Sequence, residues 1–214
     1  MTSPTSPHWE TISDAQRDAM VRLGPLVTRC QMYLAGGTSV ALQLGHRRSI
    51  DLDWFSLLPI SDPMVLAQEL KDAEVPFETR SVDRGTLHGQ VLGVRVSFIE
   101  YRYPLLRPPF TWPEMGCPLA SLLDLAGMKL VAVAQRGAKK DFLDVYALGM
   151  KAYSLADMLG AYRQKYDLQD ISRVLYSLTY FDDADREPMP TLLWDSTWEA
   201  CKAAIRTSVQ QVTG

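Results

Sequence analysis

Asp51 and Asp53 stand one residue apart on the apolar stretch Ile50, Leu52, Trp54, a period-two pattern that predicts a strand. Successive strand side chains point to opposite faces, so the two carboxylates share a face and can converge on one cation. Left unpaired they would repel and perturb each other's ionisation, which a bound divalent metal relieves. Upstream, Tyr33-Leu34-Ala35 ends a predicted short strand, Gly36-Gly37 permits a tight turn, and Thr38 opens a predicted helix through Val40, Ala41, Leu42 and Leu44. A glycine turn at a helix N-terminus offers free backbone N–H groups and a positive dipole end to a phosphate. A phosphate seat beside a carboxylate pair suggests a nucleoside triphosphate held through its phosphates and magnesium. Each half alone has an ordinary reading. Asp-x-Asp at a strand end is commonly a solvated turn, and Gly-Gly before a helix is commonly turn chemistry. The two in this order are much rarer than either part.

A second constellation lies further on, where Lys129, Arg136, Lys139, Lys140, Asp141 and Asp144 crowd into a short stretch. Lys129 and Arg136 are seven residues apart, on one face of an unbroken helix, and Asp141 and Asp144 share a face of the next. The run also reads as a solvated surface, with Lys140 and Asp144 an ordinary i,i+4 pair. Against that, Lys129 interrupts the apolar run Ala126 to Ala134, where a surface lysine is unexpected. A lysine so placed can hold a triphosphate as a point charge.

These groups need a scaffold, and 214 residues with 47% hydrophobic and 22% charged side chains suffice for one sizeable core. A net charge of −3 gives no global basic field, so any polynucleotide partner must be held by a local patch. The three cysteines, Cys30, Cys117 and Cys201, form no C-x-x-C pair, which fits a reducing compartment and thiols used as core filler. The three histidines show no zinc-ligand spacing. No stretch reaches the roughly 18 apolar residues of a membrane span and no signal-peptide core is evident, so a cytoplasmic protein is expected.

Met1 to Pro7 is Ser/Thr/Pro-rich and reads as disordered. A helix is predicted from Asp14 to Thr28, capped by Ser13 or Asp14. Asp62-Pro63 marks another helix start, with Val65, Leu66 and Leu70 as its buried face. Strands are predicted over Phe77–Val82, Thr86–Leu92 and Val94–Tyr101, the first two joined by Asp83-Arg84-Gly85. Five prolines between 104 and 118 punctuate a loop. From Leu119 the period changes to about 3.6. One helix is striped by Leu122, Leu125, Ala126, Leu130 and Val133 and stops near Gly137; the next is striped by Phe142, Val145, Tyr146 and Leu148. Ser154 and Asp170 cap two more, and Trp194–Val209 is the last. The division is an α/β core over residues 8–115 and a helical region over 116–214 packed on it.

The block Leu34-Ala35-Gly36-Gly37-Thr38-Ser39 through Arg47, followed by Ser49-Ile50-Asp51-Leu52-Asp53-Trp54-Phe55, resembles the AbiEii/AbiGii toxin family of nucleotidyltransferases, within the DNA polymerase β-like superfamily. Met128-Lys129-Leu130 through Gly137-Ala138-Lys139-Lys140-Asp141-Phe142-Leu143-Asp144 looks like that family's downstream lysine/aspartate motif, and Leu178 to Ala184 resembles its C-terminal region. The resemblance covers Met32 to Pro190. It implies an α+β fold, a small mixed sheet with flanking helices and a helical C-terminal region forming the other wall of a cleft. It implies Gly36, Gly37, Thr38 and Ser39 at the phosphates, and Asp51 and Asp53 on magnesium or manganese. Lys129 would lie near the nucleotide, with catalytic Asp141 and nucleotide-binding Asp144 lining the same cleft. Arg47, Arg48, Arg136, Lys139 and Lys140 are the basic group expected to face an RNA acceptor. The implied partners are a nucleoside triphosphate, a tRNA, other RNA or protein acceptor, and a separately encoded antitoxin.

One departure stands out. The superfamily usually carries a third metal-binding carboxylate on a neighbouring strand, and alternation along Val94–Ile99 puts Ser97 in that place. Glu100 has the opposite parity and would need a bulge, and Glu78 lies on another strand. Ser97 therefore keeps open an alternative, a nucleotide- or partner-binding module without catalysis on the same fold.

Overall fold

The computed structural model describes residues 6–214. Of the N-terminal stretch expected to be disordered, residues 1–5 lie outside the described residues, whereas Pro7 is buried. The architecture is α+β, a five-stranded mixed sheet with flanking helices. Strand β1 (Met32–Ala35) pairs antiparallel with β2 (Asp51–Ser56), and β2 runs parallel to β5 (Val94–Glu100). Beyond β5 lie β4 (Thr86–Val91) and β3 (Phe77–Asp83), both antiparallel to their neighbours, so the order is β1-β2-β5-β4-β3.

Strand alternation decides what each face does. Leu34, Leu52, Trp54, Leu87, Val96 and Phe98 point to one side. There they pack against Ala19, Leu23, Leu26 and Val27 of helix α1 (Asp14–Arg29) and Leu66 and Leu70 of α3 (Pro63–Asp72). Ser13 caps α1 and exchanges hydrogen bonds with Gln16. Asp62 caps α3, but Val65 is 55% exposed rather than on the buried face, because its position on the helix turns it away from the sheet. The odd-numbered positions Asp51, Asp53, Arg95 and Ser97 take the other face. Ile50, expected to begin the strand, precedes β2 and is exposed.

Helix α2 (Gly36–Leu44) follows β1 without a break, starting two residues before Thr38. After the proline-punctuated segment come α4 (Leu122–Gln135), α5 (Lys139–Lys151), α6 (Leu155–Tyr166), α7 (Ser172–Thr179), α8 (Asp182–Arg186) and α9 (Trp198–Thr213). Ser154 caps α6, and the Asp170 carboxylate accepts the Ser172 N–H. The last helix begins at Trp198 rather than Trp194, since Thr197 supplies the cap. Leu125, Ala126, Leu130, Phe142 and Leu148 form the core of this half, into which Tyr33 and Phe55 of the sheet also pack. A buried ion pair, Lys165 Nζ to Asp124 Oδ1 at 2.7 Å, anchors the proline segment. Asp124 also accepts the backbone N–H groups of Leu106 and Arg107, and Lys165 donates to the Pro104 carbonyl.

Candidate active site

The open face of the sheet and the α4 side of the helical half bound a cleft of ≈ 1000 Å³. Its floor begins at the β1–α2 junction. Gly36 adopts φ +66°, and a β-carbon there would stand 2.9 Å from Asp53 Oδ2. Only glycine lets the backbone pass this close to the carboxylate in that conformation. Gly36, Gly37 and Thr38 line the cleft. The Thr38 hydroxyl donates to the Asp51 carbonyl and lies 2.8 Å from Ser49 Oγ, tying the start of α2 to the start of β2. Ser39, expected at the phosphates, is instead fully buried and accepts a hydrogen bond from Gln43.

Asp51 and Asp53 share the cleft face, as their spacing predicts, and both line it. The sheet register sets Asp51 beside Arg95 and Asp53 beside Ser97. Arg95 Nε lies 2.7 Å from Asp51 Oδ1, an ion pair with a largely exposed arginine. Burial pushes the Asp53 carboxyl above its ordinary pKa and the charge of Asp51 adds to the rise, while a hydrogen bond from Ser97 opposes it.

The opposite wall carries Lys129, interior as its apolar context predicts. Its ammonium lies 2.6 Å from Asp144 Oδ2 and 3.1 Å from Asp141 Oδ1. Asp144 also accepts Arg47 Nε at 2.7 Å and Nη2 at 2.9 Å, and His46 Nε2 at 2.8 Å. Asp141 accepts Arg136 Nε at 2.7 Å and Nη2 at 2.8 Å. Both carboxylates are fully buried and absent from the cleft lining, so they stand behind Lys129, Arg47 and Arg136 rather than facing a ligand as expected. Burial alone would raise Asp144, but Arg47 and Lys129 outweigh it and hold the carboxyl well below the usual range. The Lys140–Asp144 surface pair does not form, because Asp144 turns inward to these partners.

Of the basic group, Arg48, Arg136 and Lys140 are exposed on the cleft. Arg47 lines it too, but its guanidinium is buried on Asp144. Lys139 is not on the rim. It is buried, donates through Nζ to the Glu187 carbonyl and sits 5.3 Å from the Trp198 ring centre. Glu187 belongs to a strap that the sequence did not single out. Residues 187–191 line the cleft mouth, tied to the α2–β2 loop by Arg48 N–H to Thr191 O at 2.8 Å and Leu193 N–H to His46 O at 2.9 Å.

At the place of the third acid, Ser97 lies beside Asp53 in register, and neither substitute reaches the site. Glu100 is turned to accept the Ile60 N–H at 2.9 Å and pairs with Arg102; Glu78 is exposed and pairs with Arg80. Instead His88, opposite Ser97 on β4, puts Nδ1 3.1 Å from the Ser97 hydroxyl and lines the same cleft. A signal for His88 existed: the two-residue turn Leu92-Gly93 pairs Val91 with Val94, and counting back pairs 88 with 97.

Among the described residues, no group of three or more acidic, histidine or cysteine side chains suited to a metal is present. Two carboxylates on an open cleft nevertheless suit magnesium, a hard cation usually held by one or two carboxylates with water and substrate phosphates completing its shell.

The family model for the nucleotidyl transferase AbiEii toxin of type IV toxin–antitoxin systems matches residues 18–212. An uncharacterized protein of Aquifex aeolicus is 35% identical over 199 residues, covering 92% of this chain and 95% of its own. Among solved structures, JHP933 of Helicobacter pylori superposes with a TM-score of 0.58 at 16% identity, covering 94% of this chain and 93% of that one. MenT4, a nucleotidyltransferase toxin of Mycobacterium tuberculosis, gives 0.55 at 17% identity, over 92% and 82% of the two chains. These structural likenesses show a shared fold.

Proposed function

Because the chain belongs to the AbiEii nucleotidyltransferase toxin family, we propose that it is a metal-dependent toxin that transfers a nucleotide from a nucleoside triphosphate to an acceptor hydroxyl, with RNA, tRNA foremost, as the acceptor. The observation that carries this reading is the meeting of Asp51 and Asp53 with the N-terminus of α2 on one wall and Lys129 on the other. In this reading the acceptor oxygen attacks the α-phosphorus in line and pyrophosphate leaves. Backbone N–H groups at Gly37 and Thr38 seat the phosphates, and Lys129 offsets the charge that develops on them. Asp141 and Asp144 fix the Lys129 ammonium so that no reorganisation is needed when charge builds up. Asp51 and Asp53 would hold magnesium or manganese, which when bound supplies Lewis-acid stabilisation of the phosphoryl oxygens. Arg48, Arg136 and Lys140 form the rim for a polyanionic acceptor, since the overall charge is negative. A cognate antitoxin that masks the cleft completes the proposal.

The test offers each of the four labelled triphosphates, with magnesium, to the purified protein together with total RNA and cell extract. Label entering RNA supports the reading, label entering protein moves the acceptor to protein, and no transfer defeats catalysis. Ser97 favours a second reading, a nucleotide- or partner-binding module without turnover. In that case the wild type binds triphosphate with magnesium but transfers nothing, and Ser97→Asp restores transfer.

A further inference from the structure

Three side chains from adjacent strands form a row across the floor of the cleft. Asp53 on β2 is paired in register with Ser97 on β5, which is paired with His88 on β4. The direction of the hydrogen bonds follows from what each group can do. An ionised Asp53 can only accept, which turns the hydroxyl of Ser97, its neighbour in register, toward it. The Ser97 oxygen then accepts, so His88 must donate from Nδ1, which lies 3.1 Å away. A neutral imidazole with its proton on Nδ1 leaves Nε2 as a bare acceptor. No hydrogen bond among the described residues engages that nitrogen, and His88 lines the cleft with Asp53 and Lys129.

We propose that His88 is the general base of the transfer, with Ser97 as the positioning residue that fixes its tautomer. This rests on the nucleotidyltransferase reading above and supplies the proton acceptor that a third carboxylate would otherwise provide. The acceptor O–H bond breaks and its proton passes to His88 Nε2, giving an imidazolium. The freed oxygen forms a bond to the α-phosphorus, the bond between that phosphorus and its bridging oxygen to the β-phosphate breaks, and pyrophosphate carries off the electron pair. The charged groups around the imidazole are Asp51 and Asp53 on β2, Arg95 on β5 and Arg80 on β3. Lys129, Arg136, Lys140, Arg47, Arg48 and Glu187 line the same cleft.

The experiment uses the full chain and reads three quantities. His88→Gln should lower kcat by about 100-fold or more, the usual range for a lost general base. It should leave the Kd for magnesium–triphosphate within about two-fold and erase the one-proton acid limb of the kcat profile. Independently of turnover, long-range proton–nitrogen NMR of the wild type should show His88 as the Nδ1–H tautomer, a preference that Ser97→Ala abolishes. An Nε2–H tautomer in the wild type overturns the proposal, as does a His88→Gln enzyme with unchanged kcat and acid limb. Absence of transfer by the wild type with every triphosphate would bring down the nucleotidyltransferase reading itself, and the base with it; the tautomer measurement keeps the two failures distinct.

Discussion

The guanidinium of Arg47 fills the space a β-carbon on Gly37 would need, and from there it grips both oxygens of Asp144. An arginine tip on the surface would simply swing aside. This one is 3% exposed and forked on a buried carboxylate, so it has nowhere to go. Gly37→Ala should therefore cost about 3 kcal/mol by denaturant unfolding, the scale for disturbing a buried ion pair. A cost below about 1 kcal/mol would mean the guanidinium can relocate.

If the proposed function holds, Asp51→Asn and Asp53→Asn should each abolish transfer while the protein stays folded, because each would remove an anionic metal ligand from an open cleft. Asp53 adds a signature of its own. Its folded pKa is raised, so it contributes stability that is present below its unfolded value and lost as pH rises through the folded value. Without metal, Asp53→Asn should melt at or above the wild-type temperature at pH 7, and that advantage should vanish in acid. A variant less stable than wild type at pH 7 would contradict the burial penalty on the Asp53 carboxylate.

Lys129→Ala should weaken magnesium–triphosphate binding and also destabilise the fold by about 3–5 kcal/mol. It leaves Asp141 and Asp144 buried with one cation fewer. Calorimetry at a temperature where the variant is folded separates the two effects. Unchanged affinity would make this lysine purely structural.

Lys139 and Lys140 are neighbours with opposite expectations. Lys140→Ala should weaken RNA binding and reduce its salt dependence by about one counterion while leaving stability alone. Lys139→Ala should cost about 1–2 kcal/mol through the lost contact with Glu187. Measured salt slopes and melting curves should sort the two variants; equal effects on RNA binding would return Lys139 to the rim.

Acid should loosen the buried network in two stages. Burial lowers the pKa of His46 from its ordinary value of 6.5 despite the neighbouring Asp144, so the fold prefers the neutral ring. Stability should therefore begin to fall as pH drops below about 6.5, where the unfolded chain takes up the proton first. Asp141 and Asp144 are lowered from 3.8, so their contribution is present above that value and is lost as pH falls through their folded values. Melting temperatures across pH 3–8 should show the first stage missing in His46→Gln. A flat wild-type profile down to pH 5 would refute the assignment to His46.

Much of this was legible from local rules. The period of two along Asp51–Trp54 puts the carboxylates on one face whatever lies beneath, and capping residues such as Ser13, Asp62 and Ser154 mark helix starts through hydrogen bonds made within a few residues. Lys129 betrayed its burial because an apolar run on both sides has no place in solvent. The last helix was misplaced because Trp194 extends the apolar pattern, yet the cap belongs to Thr197.

The sequence by itself determined the elements, the carboxylate pair, the glycine turn and the absence of an acid at position 97, all of which follow from residue type and short-range periodicity. Only the tertiary structure decided which charges face the cleft and which stand behind it. Asp144 lies 97 residues from Arg47 and Lys139 lies 48 from Glu187, and no periodicity links positions so far apart. Their partners are chosen by the packing of α5 against α2 and the strap. A buried carboxylate takes whatever cations that packing brings, because leaving it unpaired costs more than any surface pairing returns.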